Sequence, residues 1–155
     1  MFTAVTYPIL KVGSQGLGVV DLQRLINLRV PSFLQIEVNG IYDIKTAALV
    51  SVIQYQFLLP QTGITDGLTW KSLLAGAPVD RPILRRNATG EDVAIVQEVL
   101  QRIGYYKGEI SGIFNRKTQT AVLAFQISRN FYADGIISDR IWAALSDIAT
   151  LLTVD

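Results

Sequence analysis

Apolar residues recur at spacings of three and four along several stretches of the chain, a pattern typical of amphipathic helices. In the clearest stretch, Val93, Val96 and Leu100 fall on one face. Thr89 is the predicted N-cap of this helix, because its hydroxyl can accept a free N–H group of the first turn. Gly104 is its predicted end. The pattern therefore predicts one helix between these two residues.

Similar periodicity predicts five further helices, with polar capping residues in front of each. We expect the last of them, after Ser138, to be short. Its apolar positions are Ile141, Trp142 and Leu145. The predicted caps of the five are Ser14, Asp43, Asp66, Asn115 and Ser138.

The same pattern occurs twice along the chain. Pro8-Ile9-Leu10-Lys11 recurs as Pro82-Ile83-Leu84-Arg85, and each half carries one tryptophan, Trp70 or Trp142. Two copies of one module explain identities spread over the whole length. We therefore predict an all-α fold that consists of two tandem three-helix bundles, with each tryptophan in a bundle core.

The stretch between the copies is rich in glycine and proline, which are typical of a linker. We predict a first, divergent repeat over 1–75, a linker over 76–81, and a second repeat with a C-terminal tail over 82–155. A module of about 65 residues without disulfides or metal is close to the lower limit of independent stability. The two copies are therefore expected to pack on each other.

Composition narrows the possible functions. The chain of 155 residues has no histidine and no cysteine, which excludes Ser-His-Asp and thiol catalysis and thiolate zinc sites. We expect no metal and no cofactor. With 14 basic and 13 acidic residues, the net charge of +1 gives no basic field for nucleic acid. No apolar run reaches the about 18 residues of a membrane span. The first eight residues lack the features of a signal peptide, so no ordinary export signal is expected.

Four motifs of the second repeat carry a family resemblance. They are Ile103-Gly104-Tyr105-Tyr106, Ser111-Gly112-Ile113-Phe114-Asn115-x-x-Thr118, Ala121-Val122-x-x-Phe125-Gln126, and Asp134-Gly135-x-x-Ser138-x-x-Ile141-Trp142. The pattern resembles the peptidoglycan-binding domain of type 1, a three-helix module. The resemblance covers almost the whole second repeat and, more loosely, the first. It implies a non-catalytic bacterial module that anchors to the cell wall in the periplasm or outside the cell.

Both repeats depart from the family pattern. Ser111-Gly112 and Asn39-Gly40 stand where the family has Asp-Gly, and Thr62 in the first repeat stands where the second has Asp134. The Gly-Tyr-Tyr stretch has no equivalent in the first repeat. We therefore expect ligand binding mainly in the second repeat.

The predicted site lies beside the start of the helix that follows Asn115. Free N–H groups at a helix N-terminus attract carboxylates, and peptidoglycan stem peptides and muramic acid carry such groups. At least one tyrosine of the adjacent pair is expected to be partly exposed, where it could offer a platform for a sugar ring. Phe114 as a core residue, Asn115 as a simple cap and Gln126 as a tie to loop carbonyls remain open alternatives. The candidate ligand-binding residues are Tyr105, Tyr106, Phe114, Asn115, Lys117, Thr118, Gln126 and Asp134.

Catalysis is not expected, because no pair of acidic residues falls inside an apolar stretch. The leading hypothesis is a peptidoglycan-binding protein that binds glycan or stem peptide without cleaving it. The rival hypothesis is an adaptor in which the same fold binds a protein partner inside the cell. The missing export signal and the altered turns favour this rival. A third interpretation is self-association through exposed apolar surface.

Overall fold

The computed structural model describes residues 7–154, so the expectations for the first six residues and for Asp155 lie outside the described part. The chain is all-helical as predicted, and the described part contains only isolated β-bridges between its helices. A single 3₁₀ turn, Ser32–Leu34, follows the first helix. The six helices are α1 (Leu17–Arg29), α2 (Ile44–Gln56), α3 (Gly67–Ala75), α4 (Glu91–Arg102), α5 (Arg116–Ser128) and α6 (Asp139–Val154).

Three of the predicted N-caps are confirmed. Asp43, Asp66 and Asn115 each accept the main-chain N–H of the residue three positions later, at 2.8 to 3.0 Å. The caps predicted at Ser14 and Thr89 are wrong, because α1 and α4 begin after Gly16 and Gly90 without a side-chain cap.

The glycine starts are caused by contacts with a turn farther along the chain. The residue before each glycine forms a β-bridge to the turn that precedes the next helix, Gln15 with Ile41 and Thr89 with Ile113. To leave this bridge and enter the helix, Gly90 adopts a φ of 125°. Glycine populates positive φ without steric cost, and threonine does not.

Each repeat encloses its own hydrophobic core around one tryptophan, as predicted. Trp70 and Trp142 are both 1% exposed. Each indole N–H donates to a main-chain carbonyl near the start of its repeat, Trp70 to Pro8 at 2.8 Å and Trp142 to Pro82 at 2.7 Å. Because the ring closes the bundle and its one donor is satisfied, the tryptophans are structural residues.

The prediction that the last helix is short is wrong. α6 has 16 residues, whereas its counterpart α3 has 9. Its extra turns pack against α2 of the first repeat. There the hydroxyl of Ser146 donates to the carbonyl of Gln56 at 2.5 Å, and the Gln56 amide donates to Thr153 at 2.7 Å. Tertiary packing therefore extends a helix that the repeat pattern alone would end.

The contact between the repeats is a packed interface. Tyr55 and Leu58 lie in the first repeat but belong to the hydrophobic cluster of the second. Arg102 donates to the Tyr55 hydroxyl at 2.6 Å. Arg81, in the predicted linker, lies over the Trp142 ring at 4.8 Å and donates to the Leu58 carbonyl. The two repeats are thus held together by buried side chains as well as by the connecting segment.

We expect Ser146→Ala to lower the free energy of unfolding by about 1–2 kcal/mol, because it leaves the Gln56 carbonyl without its buried donor. The control is Ser128→Ala, whose hydroxyl makes only a local bond to the Phe125 carbonyl at the exposed end of α5. This control is expected to change stability by less than about 0.5 kcal/mol. Urea unfolding followed by circular dichroism measures both. Equal effects would contradict the assigned role of the interface.

Candidate binding site

A buried glutamine of α4 builds the frame of the site in the second repeat. Gln97 is 0% exposed. Its Oε1 accepts the main-chain N–H groups of Ser111 and Gly112 at 3.1 and 3.0 Å. Its Nε2 donates to the Ile113 carbonyl at 3.0 Å and to the Thr118 hydroxyl at 2.9 Å. One side chain therefore fixes the turn before α5 against the first turn of α5.

The turn itself requires glycine. Gly112 has a φ of 72°, and a Cβ atom there would lie 3.0 Å from the carbonyl oxygen of Gly90. The first repeat has the same arrangement of a buried glutamine and a turn glycine. There the Gln23 Oε1 accepts the Gly40 N–H at 2.9 Å. The two repeats thus share one local architecture at this turn.

A second buried glutamine, Gln126, fixes the turn before α6 in the same way. The Gln126 Oε1 accepts the Gly135 N–H at 2.9 Å, and its Nε2 donates to Asp134 at 2.8 Å and to the Ile136 carbonyl at 3.2 Å. Gln54 makes the matching bonds in the first repeat. The alternative that Gln126 ties down a loop is the one that the structure bears out.

The structure corrects half of the predicted site. Four of the candidate residues are almost completely buried and serve the framework, so their side chains offer no surface to a ligand. The hydroxyl of Tyr106 donates to the Glu109 carbonyl inside the bundle. The four and their exposed fractions are Tyr106 (2%), Phe114 (0%), Thr118 (0%) and Gln126 (1%).

The other four candidates reach the surface. Tyr105 is half-buried, and its ring meets that of Phe125 edge-on at 5.9 Å. Asn115 and Lys117 are exposed beside the start of α5. Asp134 is also exposed, but it lies in a different pocket, at the start of α6. Tyr105 meets the expectation that at least one of the adjacent tyrosines is partly exposed.

Two adjoining open pockets beside the start of α5 share Arg116 and Lys117 and together form a surface groove with excess positive charge. The groove is lined by three cations, Lys107, Arg116 and Lys117, and by one carboxylate, Glu109. Its formal charge is therefore +2. None of the three cations makes a salt bridge in the described part of the chain. We call this the α5 groove; its lining residues are Tyr105, Lys107, Gly108, Glu109, Ser111, Asn115, Arg116, Lys117 and Thr120.

Sequence reasoning missed two cations of the groove, Lys107 and Arg116. Lys107 follows the tyrosine pair in its loop, and Arg116 follows Asn115 in the first turn of α5. Arg116 and Lys117 place two like charges at a helix start, which opposes the helix dipole. The sequence alone gives no signal that links Lys107 and Arg116 to one groove.

The matching pocket of the first repeat has the opposite charge balance. It lies beside the start of α2 and is lined by two carboxylates, Glu37 and Asp43, and one cation, Lys45. The main-chain N–H of Thr46 donates to Asp43, and this hydrogen bond lowers the pKa of the carboxyl below its ordinary value. The acid therefore stays ionised, and this pocket does not favour an anionic ligand.

Two further features bear on what the chain can hold. Among residues 7–154, no three histidine, cysteine or acidic side chains gather into a group that could bind a metal ion. Within the same residues, no helix combines the length and the apolar character that crossing a bilayer requires.

The fold and groove describe a small helical binding module, and comparison with known proteins gives its family. Residues 89–145 match the family model described as "Putative peptidoglycan binding domain". The second repeat is a peptidoglycan-binding domain of this family, as the sequence motifs predicted.

Individual relatives are similar to parts of the chain. The spore cortex-lytic enzyme of Halalkalibacterium halodurans is 35% identical over 63 residues, which are 41% of this chain and 19% of that enzyme. An uncharacterized protein of Kitasatospora aureofaciens is 27% identical over 104 residues, 66% of this chain and 88% of that protein. The matched segment thus spans about a fifth of the cortex-lytic enzyme's length.

The crystal structure of the SleB N-terminal domain is 29% identical, and the match covers 44% of this chain and 93% of that domain with a TM-score of 0.43.

Proposed function

We propose that the protein binds peptidoglycan without cleaving it, through the α5 groove of the second repeat, and so anchors to the bacterial cell wall. The family of the second repeat supports peptidoglycan as the ligand. The observation that carries the choice of site is the groove's excess of cations that form no salt bridge within residues 7–154, next to the half-buried ring of Tyr105. The first repeat contains no equivalent of this arrangement.

The chemistry of the groove suits the wall polymer. Carboxylates of stem peptides and of muramic acid can accept hydrogen bonds from Arg116 and Lys117, which are charge-assisted and therefore strong. The main-chain N–H groups of the first turn of α5 add to this attraction. Tyr105 offers an apolar ring face to a sugar and a hydroxyl that can orient it.

A binding role without catalysis agrees with the residues that line the groove. The chain contains no histidine or cysteine, and the one groove carboxylate, Glu109, is exposed. A general acid for glycoside cleavage needs a carboxyl with a raised pKa, which burial among apolar side chains usually provides. We place the protein at the cell envelope, where its ligand is found, and cargo such as a wall enzyme would be carried there.

Sedimentation with insoluble, purified peptidoglycan tests this function. The parent protein is expected to pellet with the polymer and to release no soluble sugar or peptide. Binding is expected to weaken as salt rises, because exposed charges are screened within about 10 Å at 0.1 M ionic strength. Protein that stays in the supernatant at low salt, or release of soluble fragments, would overturn the proposal.

A second candidate function rests on the first repeat. Val12, Leu17 and Ile44 are 56%, 82% and 78% exposed. The Gly13 N–H donates to the Tyr42 carbonyl at 3.0 Å and brings their segments side by side. An apolar surface of this kind favours a protein partner, as in the adaptor hypothesis. The second repeat has charged residues at the matching positions, Arg86, Glu91 and Arg116.

The adaptor function predicts a different result. The immobilised chain would retain a protein partner whose binding is lost in Leu17→Glu and unchanged in Lys117→Gln. This result, together with a parent protein that does not sediment with peptidoglycan, would replace the first function by the second.

A further inference from the structure

A second pocket lies on the second repeat, at the loop between α5 and the start of α6. Phe131 and Tyr132 supply aromatic surface to it, and Asp134 and Arg140 supply opposite charges. Tyr132 is 87% exposed, so its ring face is accessible to a ligand. The α5 groove accounts for none of these four residues.

The two charged side chains in this pocket are available to a ligand. Neither Asp134 nor Arg140 forms a salt bridge within residues 7–154. Asp134 uses its Oδ1 to accept the Ile136 N–H at 2.9 Å and the Gln126 amide at 2.8 Å. Those bonds fix the position of the carboxylate and leave Oδ2 without a hydrogen-bond donor in the described part.

The Asp134 carboxyl remains ionised. The N–H of Ile136, then the amide of Gln126 and the charge of Arg85, hold its pKa below the ordinary value. A fixed carboxylate and a guanidinium in one pocket suit a ligand that itself carries both charges. The carboxylate receives an ammonium group, and the planar guanidinium receives a carboxylate in bidentate geometry.

The first repeat shows what the pocket looks like without this function. Thr62 replaces Asp134 there, and its hydroxyl oxygen accepts the Ile64 N–H at 3.1 Å and the Gln54 amide at 3.2 Å. A neutral residue therefore suffices to build the turn, so the charge of Asp134 is not needed for folding. At the other two matching positions the first repeat has Pro60 for Tyr132 and Leu68 for Arg140.

We propose that this pocket binds an amino-acid head group, with an ammonium and a carboxylate on one carbon, and that the ring of Tyr132 covers its carbon chain. The ammonium pairs with Asp134 and the carboxylate with Arg140. This proposal rests on the proposed function, because it assigns a free amino-acid end of a stem peptide to a subsite separate from the α5 groove.

The test is a titration of the full-length, ¹⁵N-labelled chain with meso-diaminopimelic acid, followed by NMR. Two probes of matched carbon chain serve as controls: pimelic acid, which lacks both ammonium groups, and 1,5-diaminopentane, which lacks both carboxylates. We expect saturable shifts in the amides of 131–141 and binding roughly tenfold weaker, or more, for either control.

The variants Asp134→Thr and Arg140→Leu introduce the residues that the first repeat has at these positions, so both are expected to fold. Each is expected to bind diaminopimelic acid at least roughly tenfold more weakly than the parent, because it lacks one of the two charges. Lys45→Gln, in the first repeat, is the control and should bind like the parent. Equal binding of pimelic acid, unchanged binding by both variants, or shifts confined to 105–120 would overturn the pocket.

The same variants separate this inference from the proposed function. If the titration fails while the parent still sediments with peptidoglycan, the subsite is wrong and the wall-binding function stands. If diaminopimelic acid shifts 131–141 but the parent does not sediment, the wall-binding function is wrong and the pocket is an amino-acid site of another kind.

Discussion

Gln97→Leu is expected to lower the free energy of unfolding of the second repeat by about 2–4 kcal/mol. Leucine has a similar shape but neither accepts nor donates hydrogen bonds. It would leave the N–H groups of Ser111 and Gly112 without their partner, whereas the carbonyl of Ile113 would keep the N–H of Asn115 at 2.9 Å. Each unsatisfied buried group costs about 1–3 kcal/mol, and Ser111 recovers part of this from water because it is exposed.

Gln101→Leu is the matched control for this variant. It makes the same chemical change on the same helix, α4, but at an exposed position. Its stability is expected to stay within about 0.5 kcal/mol of the parent. Chemical unfolding followed by circular dichroism measures both variants. A similar loss in both would show that Gln97 does not hold the turn before α5.

The largest expected effect on binding comes from neutralising the α5 groove. The triple variant Lys107→Gln, Arg116→Ile, Lys117→Gln should bind insoluble peptidoglycan at least about 100-fold more weakly than the parent. Hydrogen bonds to charged groups contribute about 1.5–3 kcal/mol each, and 100-fold corresponds to about 2.7 kcal/mol. The Arg116→Ile change copies Ile44 of the first repeat, so the start of α5 should still fold.

A triple variant of the first repeat separates site binding from net charge. The variant Lys11→Gln, Arg24→Gln, Lys45→Gln also removes three positive charges, from exposed positions that form no salt bridge in the described part of the chain. Equilibrium sedimentation isotherms are measured for the parent and both variants. The groove account expects the first-repeat variant to bind within about threefold of the parent, since its charges act only through the general field. Equal losses in both variants would mean that attraction by net charge explains the binding.

Local sequence rules predicted most of the fold. The three polar caps Asp43, Asp66 and Asn115 act through bonds to residues three positions away, which a sequence pattern contains. The starts at Gly16 and Gly90 depend on bridges to a turn about 25 residues later, so no local rule could have placed them. The length of α6 depends on its packing against α2, which lies about 90 residues earlier in the chain.

Half of the predicted site residues are buried, for a similar reason. Tyr105 and Tyr106 stand in a loop, where no helical period shows which side chain faces the core. The decision is made by the Tyr106 hydroxyl, which reaches the Glu109 carbonyl and the Gln97 amide inside the bundle. These partners become visible only when the turn is folded. The exposed cations Lys107 and Arg116 are conspicuous only once the groove is known.

The packed interface also changes how the site can be tested. The repeat pattern suggests cutting the chain in the linker and testing residues 82–155 alone. Such a fragment would lose Tyr55 and Leu58, which complete the core of the second repeat. Point variants of the full chain are therefore the sharper experiment, and loss of binding by the fragment would not locate the site.

Amide hydrogen exchange of the full chain, with and without insoluble peptidoglycan, tests the central claim most directly. It locates the bound surface without altering any residue. The account predicts slower exchange in 105–120, around the α5 groove, and unchanged exchange in 33–48, around the matching pocket of the first repeat. Slower exchange in 33–48 with no change in 105–120 would contradict the account, because the wall would then be bound by the other repeat.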